Sequence, residues 1–344
     1  MLTTLKSTAV RALSLPGLNR LFAGLTRDRV MILMLHRFRD PERGVEGHDP
    51  SELRRALEFL RRERYALVPL EDVFRLATEG GPPLQRAVVF TIDDGYLDHA
   101  LVAAPIFAEF DCPVTTFVTT GFLDGRLWMW WNRVEYVFRH TARRELTVEK
   151  GTGPLRYVAD PANGFADAKA HYIGRCKVLP DREKHEAITR LASAADVELP
   201  ESAPPEYAPM SWDQLRACED RTMTFGPHTV THPVLSMATD DQARYEIEES
   251  WRRLRAEARR PAAVFAYPNG KWQDFGAREY ALLAQTDLLG AVVGEHDYAD
   301  LRLLRRDPTE RFKVRRFAYP DDLPVLIQLA SGAERAKQLL RGAQ

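Results

Sequence analysis

The feature that most constrains this 344-residue chain is an alternation of short, wholly apolar runs with stretches of helical periodicity. Val30-Met31-Ile32-Leu33-Met34-Leu35 offers no polar residue to either face, so as a strand it must be covered on both sides. Asp49-Pro50-Ser51-Glu52 then supplies an N-cap, a proline at the first helical position and a glutamate three residues on. Leu53, Leu57 and Leu60 follow at helical spacing, which predicts a helix over 50–63. A second apolar run, Ala87-Val88-Val89-Phe90-Thr91-Ile92, stops at Asp93-Asp94-Gly95 and leads into a helix over 97–110 and a strand over 114–119. Further β-like runs fall at 223–225, 263–266, 291–293 and 313–316, separated by helices around 239–259 and 276–286. Strands that alternate with helices pair in parallel, and seven or so units predict an α/β fold: a distorted (β/α) barrel of about seven strands.

The alternation lapses between 124 and 208. That segment opens with Trp128, Trp130 and Trp131, continues through polar helical stretches and ends in Pro200, Pro204, Pro205 and Pro209. It is expected to be a mostly helical insertion, its aromatics serving either as packing or as a platform for sugar rings. Residues 2–26 read as an amphipathic helix with Leu5, Leu13, Leu18, Leu21 and Leu25, broken at Pro16-Gly17. It either packs on the fold or touches a membrane surface. The expected organisation is an N-terminal amphipathic segment (1–29), a barrel in two pieces (30–123 and 209–320), the insertion (124–208) and a C-terminal helix (321–344).

Charge and cysteines narrow the function. Lys plus Arg number 48 against 49 Asp plus Glu, a balance that excludes a general nucleic-acid binder, which needs a concentrated basic surface. Cys112, Cys176 and Cys218 are odd in number and widely spaced, which argues against both a thiolate zinc site and a disulfide framework. No apolar run approaches the ~20 residues of a membrane span. Arg20 and Arg27 interrupt the early apolar stretch, so no signal-peptide core is evident. The expected location is cytoplasmic, with membrane association through the N-terminal segment as the sharper alternative.

Three constellations carry chemistry. Asp93 and Asp94 sit where a buried strand runs into a glycine turn, the strand end at which parallel α/β folds place catalytic groups. Two adjacent carboxylates repel unless a cation or a proton neutralises one. His228 and His232 are four apart in His228-Thr229-Val230-Thr231-His232, again after an apolar run. A helical turn beginning at His228 would put both imidazoles on one face, and with one carboxylate they would make an open catalytic site for a divalent metal. In Phe265-Ala266-Tyr267-Pro268-Asn269-Gly270, the rigid proline and permissive glycine could turn a backbone N–H toward a substrate oxygen. His48 and His99, in a loop and a helix, are expected to be solvated.

On these residues the chain resembles a known family. Thr91-Ile92-Asp93-Asp94-Gly95 is similar to the T-F-D-D-G motif of the polysaccharide deacetylases, the NodB-like enzymes of carbohydrate esterase family four. His228-Thr229-Val230-Thr231-His232 resembles their H-[ST]-x-x-H motif, and Phe265-Ala266-Tyr267-Pro268 their third motif. The resemblance implies that Asp93 is the general base and that Asp94, His228 and His232 bind one divalent ion, Zn²⁺ first, with Co²⁺ or Ni²⁺ as alternatives. It also implies that the Tyr267 amide helps hold the oxyanion. For the family's leucine-x-histidine acid motif, usually C-terminal, the resemblance points to Leu33-Met34-Leu35-His36 near the N-terminus, as in the circularly permuted exopolysaccharide deacetylases. His36 is then the general acid, with His296 as the alternative. Phe265 stands where many members carry the arginine that positions the base, and Arg316 or Arg37 would have to replace it; the family's fourth motif is not evident. The implied function is metal-dependent hydrolysis of N-acetyl groups on an amino sugar of a cell-surface or exported glycan or its precursor. The alternatives are a hydrolase of other amides or O-acetyl esters and a non-catalytic glycan-binding module.

Overall fold

The first apolar run becomes strand β1 (Arg29–Leu35), buried along nearly its whole length. The computed structural model describes residues 20–149 and 154–342. Chain order then gives β2 (Ala66–Leu67), β3 (Ala87–Ile92), β4 (Val114–Val118), β5 (Glu145–Val148), β6 (Leu155–Val158) and β7 (Met223–Pro227). The last four are β8 (Val264–Ala266), β9 (Gly290–Val292), β10 (Ala299–Asp300) and β11 (Phe317–Ala318). β1 and β3 pair in parallel from Val30↔Ala87 to Leu35↔Ile92, β4 follows β3, and β7 follows β4. β8 pairs with β9, also in parallel.

A few backbone bonds close the ring. Ala262 N–H donates to Phe225 O at 2.7 Å and joins β7 to the start of β8, while Val314 N–H donates to Ala291 O at 3.0 Å beside β9. The same chain then reaches β1 as β11, with Leu33 opposite Phe317. The order β1, β3, β4, β7, β8, β9 and the 314–318 segment is a seven-membered parallel barrel, as expected from the alternation. The run at 313–316 differs from its expected strand: only Val314 bridges to β9, because the chain there changes partners from β9 to β1.

The helix Pro50–Arg62 starts as its sequence dictates, the Asp49 carboxylate accepting from Ser51 N–H at 2.7 Å, and buries Leu53, Leu57 and Leu60. The stretch expected as one helix over 97–110 instead opens with a π turn, His99–Ala103, before the α-helix Ala104–Glu109. Pro105 lacks the N–H that an α ladder would direct to residue 101, so the ladder shifts register there. The C-terminal helix is two, Leu323–Ala330 and Ala333–Gly342, parted at Gly332, whose φ of 86° is left-handed.

The insertion folds around a core of its own. Helices Trp130–His140, Ala166–Lys177 and Asp181–Ala195 pack with the antiparallel pair β5–β6 around Trp130, Leu146, Tyr172 and Ile188. The hairpin adds strand to a segment expected to be mostly helical. Tyr96 O–H, from the barrel, donates to Asn132 Oδ1 at 2.5 Å and ties the two parts together. Most of the amphipathic N-terminal segment lies outside the described residues; within them, Ala23–Thr26 is a single 3₁₀ turn. Among the described residues no helix is long and apolar enough to cross a membrane.

Candidate metal centre and active site

At the end of β3 the backbone reverses sharply. Asp93 N–H still completes the ladder to Leu35 O at 3.0 Å, but Asp94 and Gly95 take φ values of 90° and 98°. A Cβ on residue 95 would lie 2.7 Å from the Leu123 side chain, so the turn needs glycine for space as well as for conformation. The reversal delivers both carboxylates into the mouth of the barrel, 3% and 4% exposed.

They meet different partners. Arg316 reaches Asp93 with two parallel bonds, Nη1 to Oδ1 at 2.7 Å and Nη2 to Oδ2 at 2.8 Å. The guanidinium is itself fixed by Nη1 to Thr91 Oγ1 at 3.0 Å and Nε to Val293 O at 3.2 Å. Burial alone would raise the Asp93 pKa, but the Arg316 charge and hydrogen bonds outweigh it and hold the carboxyl well below the usual range. Asp94 has no such partner. Burial, and then the neighbouring Asp93 charge, push its pKa well above that of an ordinary carboxyl.

Asp94 faces the two histidines instead. His228 Nε2 lies 3.7 Å and His232 Nε2 3.5 Å from Asp94 Oδ1, and one donor atom from each of the three falls within 4.8 Å of the others. The expected helical turn is absent. The histidines converge through an irregular loop in which Thr229 (φ 66°) and His232 (φ 59°) are left-handed. His232 N–H donates to Thr229 Oγ1 at 3.0 Å within that loop, and the Glu246 carboxylate accepts from Val230 N–H, Thr231 N–H and the Thr231 hydroxyl.

The residues fit a divalent ion. His228 Nδ1 is bonded to Ala266 O at 2.7 Å, which fixes the proton there and leaves Nε2 with a free lone pair. His232 Nδ1 is buried without a hydrogen-bond partner among the described residues. Separations of 3.5–3.7 Å are too long for hydrogen bonds between ring nitrogens and carboxylate. Burial pushes the His228 pKa down to about 4 and holds that of His232 well below the ordinary histidine range, which favours the neutral rings that ligation requires. A cation would reverse the local cost of ionising Asp94.

His36, at the end of β1, comes to the same mouth. Its Nε2 is 4.0 Å from Asp93 Oδ2, and its side chain is 48% exposed toward the cavity. Loss of bulk water to the pocket walls lowers its pKa, against the pull of Asp93. Of the two arginines weighed for the base, Arg316 is the one at Asp93. Arg37 turns away, bonded to Asp98 Oδ1 at 3.0 Å and Glu206 O at 2.7 Å, with its guanidinium 3.9 Å over the Tyr96 ring.

Three expectations need correction. The Tyr267 amide donates to Val292 O at 3.3 Å within the barrel and its hydroxyl to Phe312 O, so neither group faces the cavity. Of this motif, Asn269 lines the cavity, as does Gly294, whose N–H donates to Gly270 O at 2.8 Å. His99 is fully buried rather than solvated, its Nε2 bonded to the His36 carbonyl. His48 pairs through Nδ1 with Asp321 and lies edge-on to Tyr319.

The groups line a cavity of about 750 Å³ with two walls. The barrel supplies Asp93, Asp94, His228, His232 and His36, and the insertion supplies Trp131, Asn132, Ile173 and Lys177. Trp128 and Trp130 are packed, 6% and 3% exposed, and Trp130 also reaches the cavity wall. Trp131 is half-buried and sits edge-on to His232, ring centroids 4.6 Å apart. Glu246 escaped the sequence reading, since it lies among Glu248 and Glu249 in an acidic helix and only the fold shows which of them turns inward.

A closed parallel barrel with a buried Asp-His-His cluster and an arginine-held aspartate at its mouth defines a barrel protein built around a candidate divalent-metal centre. The sequence model of the family described as Polysaccharide deacetylase matches residues 184–284, a span that includes His228, His232 and Tyr267 and begins inside the insertion. The structure is similar to that of the Streptococcus pyogenes deacetylase PplD in complex with acetate. That likeness has a TM-score of 0.57 at 17% identity and covers 88% of this chain and 98% of that one. It is also similar to a de-N-acetylase from Aggregatibacter actinomycetemcomitans, with a TM-score of 0.51 at 13% identity, over 86% and 96% of the two chains. The resemblance to the polysaccharide deacetylases read in the motifs therefore recurs in a family match and in the fold. No curated protein matches the chain in sequence.

Proposed function

We propose that this chain is a metal-dependent hydrolase that removes N-acetyl groups from the amino sugars of a glycan or glycan precursor. The observation that carries the reading is the pairing of two unlike carboxylates in one cavity: Asp93 locked ionised by Arg316, and Asp94 grouped with His228 and His232. Asp94, His228 and His232 would hold the ion, which when bound supplies a Lewis acid for the acetyl carbonyl and lowers the pKa of water.

The chain's own groups do the rest. Asp93 is anionic over the working range and has acceptor capacity beyond its two arginine bonds, so it can take the proton of the attacking water. Arg316 fixes the direction from which that proton is accepted. His36, on the open side of Asp93, gives a proton to the departing amine, which is a poor leaving group without it. Trp131 and the insertion wall exclude water from one side and offer an aromatic surface to a sugar ring. The acetate in the PplD structure is the kind of product this reaction would release.

Incubation of the metal-loaded protein with N-acetylated oligosaccharides, followed by mass spectrometry of acetate and free amine, tests the reading. Release of acetate that is lost in Asp94→Ala together with the metal, and lost in Asp93→Asn with the metal retained, is the expected pattern. Cleavage of O-acetyl esters alone, with N-acetyl sugars untouched, would replace it with an esterase.

A further inference from the structure

Beyond the three ligands, we propose that Glu246 is the residue that positions the metal centre, by clamping the His228–His232 loop in the shape that brings its imidazoles together. The inference rests on the metal-site reading above.

The loop cannot hold this shape by itself. Thr229 and His232 both take left-handed backbone conformations, which crowd the Cβ of any residue that carries a side chain. Val230 and Thr231, two of the three residues between the histidines, would otherwise leave adjacent N–H groups pointing into the protein without partners. Glu246 Oε2 takes both, from Val230 at 2.7 Å and Thr231 at 2.9 Å, and Oε1 takes the Thr231 hydroxyl at 2.5 Å. One carboxylate therefore fixes the orientation of the two peptides that join Thr229, Val230 and Thr231. On the other side, Gly121 N–H donates to Val230 O at 2.9 Å, so the middle of the loop is gripped from both directions.

Glu246 is unusual in its own setting. It lies on the helix Asp240–Glu257 in line with Ala243, Ile247 and Ser250, on the face that packs inward, and is 2% exposed. Its neighbours Glu248 and Glu249 point outward and pair with Arg244 and Arg252. An apolar residue at 246 would suit the packing of that face and spare the desolvation of a carboxylate. It would also leave the two loop amides unsatisfied. The three donors aimed at Glu246 belong to residues enclosed between two ligands, which assigns the carboxylate to the loop rather than to the helix.

The test is the affinity of metal-stripped protein for Zn²⁺, read by competition with a chromophoric chelator. Glu246→Ala should weaken binding by about 10–100-fold, the usual effect of losing a group that orients ligands. Glu246→Gln keeps an oxygen for both amides and should recover most of the affinity. Glu246→Asp, which folds more readily than the alanine variant but cannot span the distance, should bind weakly. A purely structural role would lower the melting temperature of these variants and leave the Zn²⁺ dissociation constant unchanged. Wild-type affinity in folded Glu246→Ala or Glu246→Asp overturns the proposal. A wild-type chain that binds no divalent ion overturns the metal reading itself, and that result is read on the unmutated protein.

Discussion

Arg316 and Asp93 are 223 residues apart in the chain and joined by two parallel hydrogen bonds of 2.7 and 2.8 Å, the arginine 1% and the aspartate 4% exposed at their side chains. Such a pair is not a stability device, because desolvation of both charges offsets most of their attraction. Its value is geometric: a planar fork holds a planar carboxylate in one orientation. Arg316→Lys retains the charge and loses the fork. We expect it to lower kcat more than tenfold while KM and bound metal stay near wild type, on the general loss from a misplaced catalytic group. Arg316→Ala leaves Asp93 buried and unpaired, which should cost about 3–5 kcal/mol in denaturant unfolding. Wild-type kcat in Arg316→Lys would show that orientation of Asp93 is not limiting.

The barrel was readable because its strands are too apolar to face water and its helices carry their own start signals, as at Asp49-Pro50. The acidic pair of the candidate site was readable for the same reason, since a buried run that ends in Asp-Asp-Gly delivers both carboxylates to the mouth of the barrel. What the sequence withheld is non-local. The choice of Arg316 over Arg37 depends on barrel closure, which brings the segment after Val314 beside β1. The His228–His232 loop could not be told from a helical turn, because its left-handed residues are threonine and histidine and its clamp is a glutamate from the next helix. The Tyr267 amide follows directly on β8, whose register against β9 has no sequence signal.

The tryptophans of the insertion divide by exposure, and their variants should divide likewise. Trp130 is buried in the insertion core with the Lys184 ammonium 5.2 Å from its ring. Trp130→Ala should destabilise by about 3–5 kcal/mol, the range for a large aromatic truncated in a core. Trp131 faces the cavity beside His232, so Trp131→Ala should raise KM for the glycan with a much smaller shift in melting temperature. Unchanged KM in Trp131→Ala would make its ring a support for His232 and not a sugar contact.

His99 ties pH to stability. It is fully buried, its Nε2 is committed to the His36 carbonyl, and burial pushes its pKa down to about 4. In the unfolded chain an ordinary histidine pKa applies, so between pH 6.5 and 4 the unfolded state binds the extra proton. Stability from this group is complete above that window and is lost as pH falls through it, by about 3 kcal/mol at its lower end. Urea unfolding of His99→Gln should fall less steeply with pH across that window than the wild type, by one proton. Parallel profiles would mean that the buried imidazole is protonated in the native state.

His36 gives the sharpest test of the mechanism, because it stands beside Asp93, the proposed base, and is not itself a proposed metal ligand. Its Nε2 stands 4.0 Å from Asp93 Oδ2 at the open side of the cavity, where a leaving amine would depart. His36→Ala should keep its metal and its fold and lower kcat on an N-acetyl sugar by ~10²–10⁴, the usual loss for a missing general acid. The defect should depend on the leaving group. An aryl acetate leaves as a stabilised phenolate and needs little protonation, so its hydrolysis should fall far less than that of the amide. Equal losses on both substrates would assign His36 to binding or to the positioning of Asp93. His296 lines the same cavity and is the natural competitor. Full activity in His36→Ala, with loss in His296→Ala, would transfer the acid role to that residue.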